Sequence, residues 1–389
     1  MNHIEKIAQD ARVQAAMTQF RTRQPEAIDL IQAIQQIPAP TFFEARRAAF
    51  VTERMAALGL ADVRQDGLHN VYGRFPGQRR RAPLVISAHL DTVFPQETDL
   101  TIRTNGRVIS GPGIGDNSTG VAGLLLLAQS LIAQRLPLAH DVWFVANVGE
   151  EGLGDLRGMR AVVEHFGRAA TYVVVEGGLF GQISHQAIGV RRYRLEVSGP
   201  GGHSWGSFGT TSAIHVLGRL IGAIDDLPVP ESPRTTYNVG VIEGGTSVNT
   251  IAQSASLLLD LRSEDPMTLQ HLVDSVAGLV LETEQAHCEE GIRVAMTPIG
   301  YRPAGKIARE TPLVQTAVAA LRQVGRPNVV FMMGSTDANV PLSQGMTAVC
   351  LGLTESGNAH RLDEYIDTTH LPDGLSQLLL LTLAAAGFS

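Results

Sequence analysis

Apolar residues recur at helical spacing within the first sixty positions of the chain and predict an amphipathic helix there. The residues that would form its buried face are Phe43, Phe50, Val51, Met55 and Leu58. Thr41 and Glu44 stand three residues apart at the start of this run. This is the spacing of a capping box, in which the two side chains bond to backbone N–H groups at the helix start. Gly59 follows the last apolar position and predicts the end of the helix.

Short apolar runs then alternate with stretches of helical length and composition. The predicted strands are Leu84–Ala88, Val142–Val148 and Tyr172–Val175, and the predicted helices between them are Ser118–Arg135 and Leu156–Phe166. Strands that are apolar on both faces and alternate with helices are typical of an α/β fold, with a mainly parallel sheet covered by helices. Ligands bind to such sheets at the carboxyl ends of the strands.

The pattern changes after residue 190. The elements predicted there are strand Arg192–Val197, helix Thr211–Leu227, strands Tyr237–Ile242 and Ala255–Arg262, helix Met267–Glu284 and strand Ile292–Met296. This β-α-β-β-α-β order predicts a ferredoxin-like α+β domain at 191–301, inserted into a catalytic domain formed by 1–190 and 302–389. In the last part the α/β pattern resumes with Val329–Met332, Thr336–Leu342, Ala348–Leu353 and a terminal helix from Leu371.

Charge and cysteine content narrow the class of protein. The formal net charge of -7 argues against a nucleic-acid partner, because proteins meet a phosphate backbone with clustered Lys and Arg. Cys288 and Cys350 lie far apart and predict neither a disulfide framework nor a metal site. Residues 1–10 carry charges without an apolar core, and no apolar run reaches the roughly 18 residues of a membrane span. We therefore expect a soluble, cytoplasmic protein without a membrane partner.

Side chains able to bind metal follow the predicted strands. His89 and Asp91 come directly after the first strand, and residues two apart on an extended chain project to the same side. A histidine that binds metal usually donates its second ring N–H to an oxygen acceptor such as a carboxylate, so Asp91 is placed to orient His89. Taken alone, the pair also fits a core histidine beside an incidental aspartate.

A glycine-rich segment, GPGIGDNSTG at 111–120, overlaps the start of the predicted helix at Ser118. Its composition also suits a phosphate-binding loop. However, Asp116 stands where a dinucleotide fingerprint needs its third glycine, and no Walker lysine follows. A carboxylate at this point would repel phosphate, whereas its two oxygens could bridge two metal ions.

Acidic residues also mark the ends of the other strands. Glu150 and Glu151 follow the second strand, and because successive residues diverge in direction, one can bind metal while the other acts as general base. Adjacent acids at a strand end are otherwise typical of a solvated loop. Glu176 ends the third strand, and the last part of the chain supplies Asp337 and His360. Together these residues predict a metal site.

Six motifs carry a family resemblance, which extends from about residue 25 to the C-terminus, and they appear in the same order as in that family. They are SAHLDTV with His89 and Asp91, GIGDN with Asp116, NVGEEG with Glu150 and Glu151, Glu176 itself, GGHS with His203, and AHRLDEY with His360. With these motifs the sequence resembles the cocatalytic di-zinc hydrolases that include carboxypeptidase G, peptidase T, aminoacylase and succinyl-diaminopimelate desuccinylase.

This resemblance implies two divalent metal ions per subunit, zinc in the first place and cobalt or manganese as alternatives. One ion would be held by His89 and Glu176, and the other by Glu151 and His360. Asp116 would bridge the two ions, with a cis peptide bond on its C-terminal side.

The resemblance also assigns roles to residues that would not bind metal. They are Glu150 as general base, Asp91 as support for the histidine ligand, His203 as donor to the oxyanion, Arg262 as partner of a substrate carboxylate, and Asn249 as a substrate contact from the neighbouring subunit. The protein would be a homodimer formed through the inserted domain, which would serve as a dimerisation or lid domain.

Three functions follow as hypotheses. The first is hydrolysis of di- or tripeptides or similar small amides. The second is deacylation or desuccinylation of an N-acyl amino acid, because many peptidases of the family have Asp where this chain has Glu176, whereas the desuccinylase and some deacylases have Glu. The third is a catalytically idle binding or scaffold protein. The intact Glu150 argues against the third, because a scaffold has no use for a base beside metal ligands.

Overall fold

The computed structural model describes residues 3–79 and 82–388, so residues 1, 2, 80, 81 and 389 of the predicted catalytic domain lie outside the described residues. The α-helices in this range are α1 His3–Ala8, α2 Ala11–Thr22, α3 Gln24–Gln35, α4 Ala45–Leu58, α5 Gly120–Ala133, α6 Arg157–Phe166, α7 Ala213–Asp225, α8 Pro266–His287, α9 Pro312–Gln323, α10 Asn339–Ser343 and α11 Leu371–Ala385. Among these described helices, none is both long enough and apolar enough to cross a lipid bilayer.

The strands of the same range are β1 Ala61–Gln65, β2 Val71–Phe75, β3 Leu84–His89, β4 Arg103–Asn105, β5 Val108–Ser110, β6 Val142–Asn147, β7 Thr171–Glu176, β8 Gln182–Ala187, β9 Gly189–Ser198, β10 Gly202–His203, β11 Thr235–Gly244, β12 Thr250–Ile251, β13 Ser254–Ser263, β14 Arg293–Arg302, β15 Gly305–Lys306, β16 Val330–Gly334, β17 Ala348–Gly352, β18 Glu355–Gly357 and β19 Tyr365–Asp367.

The described chain forms two compact units. The first comprises the residues up to Ala187 together with those from Gly305 onward, and the second comprises Ile188–Ala304. The second unit is slightly longer than the predicted insert at 191–301, because β9 begins at Gly189 and β14 ends at Arg302. A dimerisation or lid role for this unit stays a prediction.

A nine-stranded sheet forms the centre of the described part of the first unit. Its middle strands β6, β3, β7 and β17 are neighbours and run parallel. β2 and β1 extend the sheet antiparallel beyond β6. β8 pairs antiparallel with β17 and β15 and parallel with β16. The predicted mainly parallel central sheet is thus confirmed, and its middle strands are almost completely buried, as their continuous apolar sequences require.

Helices cover both faces of this sheet. One face packs against α1 to α5, α9 and α11, and the other packs against α6 and α10. α11, with the sequence LPDGLSQLLLLTLAA, is buried around most of its circumference, as expected for a helix that is apolar on all sides. Gly374 permits this packing, because a Cβ atom there would lie 1.9 Å from the carbonyl oxygen of Leu353.

The second unit contains one four-stranded antiparallel sheet in the order β11-β13-β9-β14. Its elements follow the order β9-α7-β11-β13-α8-β14, which is the predicted β-α-β-β-α-β pattern. α7 and α8 pack on the sheet face that carries Leu195, Val197, Leu257, Leu259 and Leu261. A short antiparallel pair, β10 with β12, lies outside this sheet.

The start of α4 differs from the predicted capping box. The residue before the helix is Glu44, whose side chain makes no capping hydrogen bond, and the Thr41 hydroxyl donates to Asp91 Oδ2 at 2.9 Å. The capping prediction was therefore wrong. A hydroxyl that meets a buried carboxylate makes a stronger hydrogen bond than it does with a neutral backbone group. Gly59, with φ of 84°, ends α4 as predicted.

Several elements have no counterpart among the predicted ones. β18, β19, β5 and β4 form a small antiparallel sheet whose strands each span three residues, too few for a period to emerge from the sequence. The β1–β2 hairpin and α9 were also not predicted. Phe43, which was expected on the buried face of α4, is exposed.

Candidate metal centre

Three adjacent parallel strands end at one edge of the central sheet. His89 is the last residue of β3, Glu176 is the last residue of β7, and Glu150 and Glu151 follow the end of β6. Parallel strands share their carboxyl-terminal edge, so β6, β3 and β7 bring these four residues together. Each is at most 8% exposed.

Asp116 lies between two imidazole groups. Its Oδ1 is 3.1 Å from His89 Nε2, and its Oδ2 is 3.2 Å from His360 Nε2. His89 Nε2 is also 3.6 Å from Glu176 Oε2. His360 Nε2 is likewise 3.3 Å from Glu151 Oε1. The five side chains therefore form two His–Glu pairs, one at each oxygen of Asp116.

The glycine-rich segment forms the turn that carries Asp116. Gly113 has φ of 69°, in the left-handed region that favours glycine. The peptide bond between Asp116 and Asn117 is cis, which confirms the geometry that the resemblance implied. The Asn117 side-chain amide donates to the carbonyl oxygen of Val175 at 2.9 Å and so ties the turn to β7.

A buried carboxylate that was not predicted holds the same turn. Glu364 Oε1 accepts the backbone N–H groups of Gly115 at 2.7 Å and Asp116 at 2.8 Å, and Oε2 accepts that of Gly113 at 3.2 Å. Burial raises the pKa of Glu364 to about 7. Glu364 is 248 residues away from Asp116 in sequence, so no local spacing signals the contact.

The small antiparallel sheet places His360 next to Asp116. It lies in the loop between β18 and β19, and β19 pairs with β5, which shortly precedes the Asp116 turn. The His360 side chain is half-exposed, and hydrogen bonds to Asp116 and Glu151 raise its pKa to about 10. The pairing of β19 with β5 thus brings His360 close to Asp116, which is 244 residues away in sequence.

Asp91 contacts both strand-end segments. His89 Nδ1 lies 3.1 Å from the Asp91 carbonyl oxygen and 3.6 Å from Asp91 Oδ1. Asp91 Oδ1 accepts the backbone N–H of Glu150, and Oδ2 accepts that of Glu151, both at 2.9 Å. Asp91 therefore approaches His89, as the sequence suggested, and its carboxylate also holds the backbone of the Glu150–Glu151 pair.

The electrostatics of the cluster fit a bound cation. Burial and the nearby charge of Asp116 raise the pKa of Glu151 to about 8, and burial raises the pKa of Glu176 to about 7. Glu151 Oε1 is buried, and the atom nearest to it among the described charged groups is His360 Nε2 at 3.3 Å. His89, Asp116 and Glu151 offer ligand atoms within 4.8 Å of one another. Imidazole nitrogens and carboxylate oxygens with uncompensated negative charge suit divalent transition metals.

Asp337, which the sequence analysis grouped with His360, does not contact Asp116 in any described hydrogen bond or ion pair. It is completely buried, and its Oδ2 accepts the side-chain amide of Asn147 at 2.7 Å. Burial raises the pKa of Asp337 well above its usual value. Its hydrogen bond connects it to the end of β6, because Asn147 is the last residue of that strand.

The remaining predicted residues belong to the second unit. His203 lies on β10, and its Nδ1 accepts the backbone N–H groups of Trp205 at 3.2 Å and Gly206 at 3.3 Å. The Asn249 carbonyl oxygen accepts the backbone N–H of Ser204 at 3.0 Å, so the His203 and Asn249 segments adjoin. Arg262 lies on β13, where its Nε donates to Asp260, an acid that also accepts from Arg192 at 2.8 Å.

The chain is similar to known proteins over most of its length. The model of peptidase family M20/M25/M40 matches residues 85–384. The chain is 22% identical over 356 residues to the succinyl-diaminopimelate desuccinylase of Corynebacterium glutamicum, an alignment that covers 90% of this chain and 94% of that protein.

Solved structures share the fold. A tripeptidase of Staphylococcus aureus superposes with a TM-score of 0.76 at 23% identity, covering 92% of this chain and 98% of that one. The YXEP protein of Bacillus subtilis, described as a dinuclear metal-binding peptidase, has a TM-score of 0.66 at 16% identity, covering 97% of this chain and 100% of that one.

We predict that Glu364→Gln weakens cation binding at the cluster, because an amide in place of the carboxylate sets an N–H donor against a backbone N–H group of the Asp116 turn. Each buried group left unpaired costs about 1–3 kcal/mol. Thr382→Val is the control, since it removes a buried hydroxyl hydrogen bond within α11. Urea unfolding and cation titration of both variants measure the effects. Unchanged cation affinity in Glu364→Gln would contradict the role given to Glu364.

Proposed function

The chain belongs to peptidase family M20/M25/M40, a family of hydrolytic enzymes, and from that premise we propose that it cleaves amide bonds of small substrates at a centre of two divalent metal ions. The observation that carries this proposal is the placement of one His–Glu pair at each oxygen of Asp116. A single carboxylate flanked in this way suits a bridge between two ions.

The proposed ligands divide between the two ions. His89 and Glu176 would hold one ion, Glu151 and His360 the other, and Asp116 would bridge them. We propose zinc, with cobalt and manganese as alternatives, because mixed imidazole and carboxylate donors suit these metals. The chemistry that bound ions supply is a lowered pKa for the attacking water and polarisation of the scissile carbonyl group.

The protein's own residues would move the proton. Glu150 is buried beside the ligand Glu151, and its backbone is fixed by the hydrogen bond to Asp91. It would accept the proton of the attacking water and pass it to the leaving amine. Asp91 would support His89 through the carbonyl and carboxylate contacts with its ring.

Residues of the second unit would recognise the substrate. His203 Nδ1 accepts two backbone N–H groups, so in the neutral ring the proton resides on Nε2, which would donate to the oxyanion. Arg262 would bind a substrate carboxylate through its guanidinium group, and Asn249 would contact the substrate from the neighbouring subunit. These three roles rest on the motif resemblance.

Deacylation or desuccinylation of an N-acyl amino acid is the second candidate. Glu176 favours it, as does the similarity over nearly the full chain to a desuccinylase. A catalytically idle binding or scaffold protein is a third candidate, which the buried Glu150 beside the proposed ligands argues against.

A substrate panel tests the proposed function. We expect the zinc-, cobalt- or manganese-loaded protein to hydrolyse di- and tripeptides, with release of the free amine as the readout. N-acetyl and N-succinyl amino acids form the matched panel, and faster hydrolysis of these would favour the deacylase. No hydrolysis of either panel by protein with two bound ions would favour the idle member.

A second prediction separates the two adjacent glutamates. Glu150→Ala should retain close to two metal ions per subunit while kcat falls by about two to four orders of magnitude, because the water loses its proton acceptor. Glu151→Ala should lose metal. Glu164→Ala, on the exposed side of α6, is the control for removing an acid nearby in sequence. Elemental analysis that gave the reverse pattern would exchange the roles of Glu150 and Glu151.

We further propose that the protein is a homodimer joined through the second unit. β11 and β14 are the edge strands of its sheet, and β11 exposes Val241 and Ile242. An exposed apolar edge strand is a surface that proteins usually cover by pairing.

Mixed dimers test whether His203 serves the partner's active site. Neither Glu150→Ala nor His203→Ala subunits should be active alone. In a mixed dimer, the subunit that keeps Glu150 has an intact His203 only if that histidine comes from its partner. We expect activity to return after subunit exchange, up to about one working site per heterodimer. Exchange confirmed by mass spectrometry without recovery would mean that His203 serves its own subunit.

A further inference from the structure

The Asp91 carboxylate contacts His89 and the backbone of Glu150 and Glu151, which lie at the ends of β3 and β6. Among its described contacts, the hydrogen bond from Thr41 is the one that comes from another part of the chain. The Thr41 hydroxyl group lies 2.9 Å from Asp91 Oδ2, which also accepts the backbone N–H of Glu151. Asp91 Oδ1 accepts the backbone N–H of Glu150 and lies 3.6 Å from His89 Nδ1. A carboxylate with donors at both oxygens cannot rotate without losing one of them.

The segment around Thr41 is itself fixed to the strand end. The carbonyl oxygen of Ala39 accepts the backbone N–H of Thr92 at 2.9 Å, and Pro40 and Thr92 form a parallel β-bridge. Arg47, at 2% exposure, donates to the carbonyl oxygen of Leu90 at 2.8 Å. The segment that carries Thr41 is therefore tied to Leu90 and Thr92, the two residues that flank Asp91 in sequence.

Arg47 also closes the segment on itself. Its Nε and Nη2 donate to the carbonyl oxygen of Ile37 at 3.0 Å and 2.6 Å. A guanidinium group with three hydrogen bonds to main-chain carbonyl oxygens makes the loop between α3 and α4 rigid. A rigid loop can hold one hydroxyl at a fixed distance from Asp91, which a mobile loop cannot.

We propose that Thr41 is a positioning residue for the metal centre: through its hydrogen bond it fixes the rotation of the Asp91 carboxylate, and thereby the placement of both His89 and the Glu150–Glu151 backbone. The inference rests on the proposed two-metal function. Thr41 does not touch the proposed ligands' metal-binding atoms in any described contact, and it acts through Asp91.

The arrangement predicts that both metal ions depend on Thr41. Asp91 contacts His89, which belongs to one His–Glu pair, and the backbone of Glu151, which belongs to the other. A residue that supported a single ligand would weaken one ion only. Loss of the Thr41 hydroxyl should weaken both ions together.

Three variants isolate the hydroxyl group. Thr41→Val keeps the shape of the side chain and removes the donor, whereas Thr41→Ser keeps the donor and removes the methyl group. Thr52→Val is the matched control. Thr52 lies on α4, where its hydroxyl donates to the Ala48 carbonyl oxygen at 2.8 Å and accepts from Gln65 at 2.8 Å. Thr52→Val therefore removes these two hydrogen bonds and leaves the hydrogen bonds of Asp91 unchanged.

The first measurement is metal affinity, by competition of each purified full-length variant with a zinc chelator. We expect Thr41→Val to bind both zinc ions about tenfold more weakly, since a hydrogen bond to a charged group is lost. Thr41→Ser should bind within about twofold of the wild type, and so should Thr52→Val even where its stability falls.

The second measurement needs no metal. In metal-free protein, amide hydrogen exchange at Glu150 and Glu151 reports whether the Asp91 carboxylate still accepts their N–H groups. Exchange of a peptide that spans 148–154 should be about tenfold faster in Thr41→Val and unchanged in Thr41→Ser and Thr52→Val.

The outcomes distinguish the two proposals. Wild-type affinity and wild-type exchange in Thr41→Val would overturn the role of Thr41, and so would a loss in Thr41→Val that Thr41→Ser does not restore. Equal losses of affinity in Thr41→Val and Thr52→Val would mean a general effect on stability and would overturn it as well. A wild-type protein that binds no divalent metal would overturn the proposed function, and the positioning role for metal would fall with it.

Discussion

The burial of several carboxylates at the carboxyl-terminal edge of one parallel sheet is the constraint on which the rest of the site depends. Asp91, Glu150, Glu151 and Glu176 are all nearly inaccessible to solvent. A buried carboxylate is costly unless hydrogen bonds or cations compensate its charge. The surrounding loops are arranged to meet this requirement.

Two buried acids are compensated by the backbone. Asp91 accepts consecutive N–H groups from the Glu150–Glu151 segment, and Glu364 accepts three from the Asp116 turn. Their negative charge thus orders two irregular segments that lack regular backbone pairing. Asp116, Glu151 and Glu176 meet mainly two imidazole groups, those of His89 and His360. Three carboxylates around two imidazoles leave an excess of negative charge in a buried place, and this excess is the physical argument for divalent cations.

The second unit presents a different kind of chemistry. Its βαββαβ core buries an ordinary apolar interface between sheet and helices, and its candidate residues lie on hydrogen-bonded segments at the surface of that core. His203 and Asn249 adjoin because β10 pairs with β12. Arg262 shares Asp260 with Arg192, so a carboxylate already occupies part of its hydrogen-bonding capacity. A substrate carboxylate that bound Arg262 would have to use its remaining N–H groups or displace Asp260.

The sequence by itself determined the middle strands of the sheet, the order of elements in the second unit, and the set of acids and histidines that the fold brings together at Asp116. Those features follow from continuous apolar runs and from residue types placed directly at strand ends, which are local properties. The tertiary structure alone decided the partners of Thr41, Glu364 and Asp337. The spacing of Thr41 and Glu44 predicts a hydrogen bond between residues that are close in sequence. The Thr41 hydroxyl instead donates to Asp91, fifty residues away. Glu364 likewise meets a turn that β19 brings near by pairing with β5. Hydrogen bonds between distant segments leave no periodicity in the sequence, because their geometry exists only once the chain has packed.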